Sequence, residues 1–143
     1  MYKSINYPEI DSGAKYALLK DAYLFACMKD IEVIKPGNVY INAPHEDTDS
    51  DDYLKSSEHS CKHLFLEDLN LGNRIFLSIE ETSKFIKKNT NLGIILTCAP
   101  LIHSLICYKE YPLKKGLSLT LENTTSADTI AICQAINLVN PGG

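Results

Sequence analysis

The five cysteines include no pair at CxxC spacing, and the chain carries no GxxxxGKS/T loop, no GxGxxG turn and no GxSxG elbow. The usual sequence carriers of a P-loop nucleotide site, a dinucleotide-binding fold and a serine hydrolase are therefore absent. Positive charge is also scarce. Fourteen Lys and Arg face 18 Asp and Glu, for a net charge of -4. That balance argues against non-specific nucleic-acid binding, which relies on a basic surface. It leaves a nucleotide ligand open, because a pocket needs only a few local cations. No apolar run reaches the ~20 residues of a bilayer span. The longest uncharged one, LGIILTCAPLIHSLIC at 92–107, is interrupted by Gly93, Pro100 and His103 and reads as a buried core helix rather than a membrane segment. The first residues lack the charged-then-apolar order of a signal peptide. An odd number of cysteines, most of them inside apolar helical patterns, reads as free thiols in a reducing, cytoplasmic setting.

What is present is helical. The 143 residues suit one domain, 1–143. After a lead-in ending at Asp11-Ser12, apolar spacing predicts a helix to about residue 33, with Ala14, Leu18, Ala22, Phe25 and Met28 on its inward stripe. The stretch Ala22–Met28 is apolar almost all round, so this helix is also expected to be central. Lys35-Pro36-Gly37 stops it. Residues 34–48 form the longest irregular segment, a length often functional inside a compact domain. A second helix is predicted over 50–69, with Leu54, Cys61, Leu64 and Phe65 inward. A third covers 73–88, with Ile75, Ile79, Phe85 and Ile86 inward and a basic end. The run 92–107 makes a fourth, in which Pro100 cannot donate to the Leu96 carbonyl, so a kink is expected. Residues 112–121 are ambiguous, since LSLTL alternates like a strand. Thr125-Ser126-Ala127-Asp128 has the shape of a capping box opening a last helix, which Asn140-Pro141-Gly142-Gly143 ends. The expected fold is all-α: a bundle of about six helices round a central apolar one, kinked at its proline.

Candidate chemistry gathers in the turns. Asp47, Asp49, Asp51 and Asp52 precede the second helix. Carboxylates there suit capping and the helix dipole; a Mg²⁺ site is the functional alternative, drawing on Asp47 and Asp49 with a phosphate ligand. His59 and His63 have the i,i+4 spacing of a zinc pair, but Cys61 points elsewhere, and a solvated face is the preferred reading. His103 reads as a hydrogen-bonded core histidine. The remaining polar turn residues are Lys35, Asn38, His45, Asp47, Asn89 and Asn91. In a helical bundle, turns at one end can converge on a pocket. At the mouth of the apolar helix, Asn89-Thr90-Asn91 precedes Leu92-Gly93, where unpaired backbone N–H groups suit an anion.

Taken together, Lys35-Pro36-Gly37-Asn38-Val39, His45-x-Asp47, Asn89-Thr90-Asn91-Leu92-Gly93-Ile94 and the ending from Leu121 to Pro141-Gly142-Gly143 resemble the triphosphoribosyl-dephospho-CoA synthase family, in its archaeal-type branch. The resemblance implies an all-α fold and a pentosyltransferase. Such an enzyme would move the triphosphoribosyl unit of ATP, with Mg²⁺, to 3′-dephospho-CoA and release adenine. It implies His45 or Asp47 as catalytic base and Lys35, Asn38, Asn89, Asn91 and Gly93 as nucleotide contacts. Asp47 and Asp49 would lie near the metal. Bacterial members have His-Lys-Gly where this chain has Asn91-Leu92-Gly93, so the helix would hold an anion by backbone and amides alone. Family members continue beyond the Pro-Gly-Gly. The chain is therefore expected to be the N-terminal portion of a longer protein, completed by C-terminal helices or an oligomer partner. The alternative is a non-catalytic helical nucleotide-binding or protein-interaction domain.

Overall fold

The computed structural model describes residues 12–33 and 50–141, and among them every regular element is a helix. The order is α1 Ser12–Glu32, α2 Ser50–Leu64, α3 Leu71–Phe85, α4 Leu92–Cys107, α5 Leu113–Glu122 and α6 Ser126–Val139. The all-α expectation holds. Helix α3 lies in the middle and packs on α2, α4 and α6; α1 rests on α2 and α4, and α5 on α4.

Local chemistry explains most boundaries. The Asn70 side chain accepts the Asn73 N–H at 2.8 Å and starts α3, earlier than position 73, because this cap lets Leu71-Gly72 join the first turn. Helix α2 ends at Leu64 rather than 69, and the turn that follows is held by Arg74, as described below. The capping box of α6 is complete: Thr125 and Asp128 each satisfy the other's backbone N–H. Its far end is Asn140 in the left-handed region, φ 41°, a conformation that Asn tolerates. The strand-like LSLTL lies in helix α5. Alternation over five residues is too short to outweigh packing, and the Gly116 face seats directly on α4: a Cβ at 116 would come 2.5 Å from Ser104 Oγ. Helix α4 matches its predicted span and contains Pro100. A bend there stays an expectation.

The core joins Tyr23, Cys27, Cys61, Leu64, Leu71, Ile75, Ile79, Leu92, Ile95, Ala99, Ile102, Ile106 and Ala135. Side chains such as Ile75 and Ile79, 1 % exposed each, stabilise by about 1.5–3 kcal/mol apiece. The expected inward stripe of α1 is corrected. Tyr23, Cys27 and Ile31 are buried, while Ala14, Leu18, Ala22 and Phe25 are exposed. Every residue at 22–28 is apolar, so spacing there does not select a face. Leu54 and Phe85 are exposed as well.

Helices α3 and α6 approach backbone to backbone. A Cβ at Gly72 would fall 2.4 Å from Asp128 Cα. The Gly72 N–H donates to Asp128 Oδ1 at 2.8 Å. The same carboxylate accepts from the Thr125 N–H at 2.9 Å and the Thr125 hydroxyl at 2.8 Å. Burial pushes Asp128 up, but the N–H groups of Gly72 and Thr125 and the Thr125 hydroxyl outweigh it and hold the carboxyl below its ordinary range. One side chain thus serves the N-termini of two helices, where both dipoles favour a negative charge.

Candidate nucleotide site at the mouth of α4

The C-terminus of α3, the N-terminus of α4 and the N-terminal half of α2 meet at one end of the bundle. Asn89, Thr90 and Asn91 join α3 to α4 there. Their side chains divide. Asn89 is exposed, and its Oδ1 accepts the Leu92 N–H at 3.3 Å. Asn91 occupies the cap position of α4 but caps nothing. Only 6 % exposed, it donates from Nδ2 to the Ser56 carbonyl at 3.1 Å and to Thr82 Oγ1 at 3.2 Å. A carbonyl oxygen only accepts, so the amide nitrogen must face α2. Thr90 is buried too, and its hydroxyl pairs with that of Ser56. Thr82 in turn donates to the Ser56 carbonyl at 3.3 Å and the Ser78 carbonyl at 3.0 Å.

Gly93 is exposed, and a Cβ placed on it meets nothing within 4 Å. The first turn of α4 holds no acidic residue. The N–H groups of Gly93 and Ile94 belong to the turn whose donors have no carbonyl inside the helix. This arrangement can accept an anion, with Asn89 beside it. Lys88, three residues before Asn91, places its Nζ 3.9 Å from Asp52 Oδ2. Lys88 follows the end of α3 at Phe85 and so belongs to the mouth rather than to the helix.

The expected site residues therefore fall into two groups. The structure places Asn89 and Gly93 on the surface of the mouth and turns Asn91 inward. Lys35, Asn38, His45, Asp47 and Asp49 lie outside the described residues. Asp51 and Asp52 stand in the first turn of α2, where the helix dipole favours carboxylates. His59 and His63 do share a face, but with different partners. His59 stacks on Phe85 with ring centroids 4.0 Å apart, and His63 Nε2 lies 3.8 Å from Glu81 Oε2. Among the described residues no three His, Cys, Asp or Glu side chains are grouped to hold a metal ion.

All five cysteines are free thiols. Burial pushes Cys27 up to about 12 and Cys61 up to about 11, so both stay protonated and act as small hydrophobes. His103 is half-buried and accepts from Arg74 Nε at Nδ1, 3.4 Å away. Burial, then the Arg74 charge, holds it below its ordinary value. A ring nitrogen that accepts from a guanidinium carries no proton, so the neutral ring is protonated at Nε2. This matches the reading of a hydrogen-bonded core histidine. Its donor went unforeseen: Arg74 is fully buried and also binds the Leu64 carbonyl at 2.6 Å and the Leu69 carbonyl at 3.1 Å. The signal available was an arginine on the Leu71, Ile75, Ser78, Ile79 face of a helix.

Comparison with known families decides the assignment. A family model described as ATP:dephospho-CoA triphosphoribosyl transferase matches residues 17–143. The chain belongs to that family. The match covers the mouth of α4 and the capping box of α6, both of which the resemblance rested on. No curated protein and no solved structure matches the chain. Among the described residues no helix is long and apolar enough to cross a membrane.

Proposed function

We propose that this chain takes part in transfer of the triphosphoribosyl unit of ATP to 3′-dephospho-CoA, in the cytoplasm, with release of adenine. The observation that carries the reading is the family match over residues 17–143, which spans the mouth of α4, where Asn89 and Gly93 are exposed. In the reaction the bond from the ribose anomeric carbon to the adenine nitrogen breaks, and a bond to an acceptor hydroxyl oxygen forms. The hydroxyl proton leaves to a base, and adenine departs with a proton. Such transfers pass through a cation-like anomeric centre.

Three tasks follow for this chain. His45 or Asp47 takes the hydroxyl proton. Lys35 and the first-turn N–H groups at Gly93 neutralise the triphosphate, with Mg²⁺ carried by the nucleotide near Asp47 and Asp49. Asn38 and Asn89 bond ribose or phosphate oxygens through their amides. Asn91 belongs to the same site as part of its wall. Leu92 supplies no charge, so backbone and amide groups carry the anion at this helix, with Lys88 three residues before Asn91 in the same mouth.

Incubating the protein with ATP, Mg²⁺ and dephospho-CoA tests the reading. Free adenine in step with a triphosphoribosylated product is expected. ATP binding without adenine release rejects the transfer and leaves a helical nucleotide-binding domain. Failure to bind ATP at all favours a protein-interaction domain.

A further inference from the structure

We infer that Asn91 is a positioning residue for the mouth of α4. It locks the first turn of α4 to α2 and α3, while Asn89 makes the ligand contact. The inference rests on the nucleotide-site reading above, which it deepens. Asn91 is 6 % exposed, so its amide is withdrawn from solvent. Its two donated bonds reach two different helices, to the Ser56 carbonyl on α2 at 3.1 Å and to Thr82 Oγ1 on α3 at 3.2 Å. Those partners are themselves joined, because Thr82 Oγ1 donates to the same Ser56 carbonyl at 3.3 Å. Thr90 adds a second tie, hydroxyl to hydroxyl, at Ser56. Lys88 and Asp52, 3.9 Å apart, bridge the same two segments at the surface. The backbone from 88 to 91 is therefore fastened to α2 on both sides of Asn89. The Asn89 side chain closes back on the Leu92 N–H and faces solvent. A triangle of helices held at one buried point fixes where Asn89 and the Gly93 N–H stand. Such placement governs reaction rate more than ground-state affinity, since small misplacements cost up to about 100-fold.

The test compares Asn91→Ala, Thr82→Val and Asn89→Ala in the protein, by amide hydrogen exchange and by steady-state adenine release. Thr82 is 3 % exposed and lies within α3, so it cannot touch a ligand at the mouth. Asn91→Ala and Thr82→Val are expected to lower protection together in the first turn of α4 and around Ser56, by about tenfold each. Both should lower kcat about 10- to 100-fold with little change in KM. Asn89→Ala should weaken ATP affinity several-fold and leave exchange around Ser56 unchanged. Thr82→Val without effect on exchange or kcat, while Asn91→Ala raises KM for ATP, overturns the inference and makes Asn91 a direct contact. A parent protein that binds no ATP sinks the nucleotide reading alone. In that case joint loss of protection at α4 and α2 still supports the lock, and loss confined to α4 overturns it.

Discussion

Helix α1 carries an unbroken apolar stretch at 22–28, yet Leu18 and Phe25 are 59 % and 58 % exposed. Helix α3 carries Arg74, Glu81, Ser78 and Thr82, and all four are buried. The helix that buries its polar groups is the hub, packed on α2, α4 and α6. The difference lies in how each polar group is satisfied. Hydroxyls on α2 and α3 return bonds to carbonyls one turn back, as Ser78 does to Arg74 at 2.7 Å and Ser56 to Asp52 at 2.6 Å. Being small, they also let helices approach closely. Burial in this bundle follows close approach and polar satisfaction, and apolar content alone does not predict it.

The comparison breaks most sharply at Arg74. Its guanidinium serves the Leu64 and Leu69 carbonyls and His103 Nδ1 at once. Arg74→Ala removes these donors and opens a void at a fully buried site. The expected cost is about 3–5 kcal/mol, because each buried acceptor left without a donor costs about 1–3 kcal/mol and the void adds to that. Phe25→Ala on α1 should cost no more than about 0.5 kcal/mol, losing chiefly the Lys29 ammonium 5.4 Å above its ring. Urea denaturation of both variants reads the difference. Equal midpoint shifts would mean that the exposed face of α1 is covered in solution.

A smaller effect separates two glycines. At Gly72 a methyl group would meet the Asp128 backbone at 2.4 Å, and backbone cannot step aside without moving α6. Gly72→Ala should destabilise by about 1–3 kcal/mol, as overpacking does. Gly93 has open space around it, so Gly93→Ala should leave the fold unchanged or stabilise it by up to about 1 kcal/mol. If the triphosphate lies against that turn, the same variant weakens ATP binding while raising the denaturation midpoint. Those opposite signs would mark Gly93 as held for ligand approach.

Much of this architecture was legible. The uncharged run 92–107 set the bounds of α4, and the Thr125–Asp128 spacing announced the start of α6, because both signals are local. What was hidden depends on distance in the chain. Asp128 serves Gly72 across 56 positions, and Asn91 reaches Ser56 across 35. Neither pairing leaves a mark in a single sequence. The mouth could be recognised as polar, but its division into an outward Asn89 and an inward Asn91 follows only once α2 and α3 stand beside it. On α1, the unbroken apolar stretch at 22–28 left periodicity without a face to choose there.

The least of these effects concerns acid. Glu81 is the charged residue that α3 buries most nearly at its surface edge. It accepts from Lys62 at 2.7 Å and Lys84 at 2.8 Å. Those two hydrogen bonds, in that order, outweigh burial and hold the carboxyl down to about 2, against 4.5 for the free group. A folded-state value below the unfolded one means that the contribution is fully present above pH 4.5. It is then lost as pH falls from there through about 2. Asp128, also held low, loses its contribution on the same acid side. Both lysines are more than half exposed, so salt should screen the Glu81 part and leave the Asp128 part nearly intact. Denaturation midpoints should thus begin to fall below about pH 6.5, where unfolded His103 takes up a proton that the folded ring, held low, does not, and decline more steeply below 4.5. Glu81→Gln should make that decline shallower at low salt and match the parent at 1 M salt. A Glu81→Gln curve parallel to the parent at low salt would show that the two lysines hold their charge elsewhere, and the polar edge of α3 would then owe its order to packing alone.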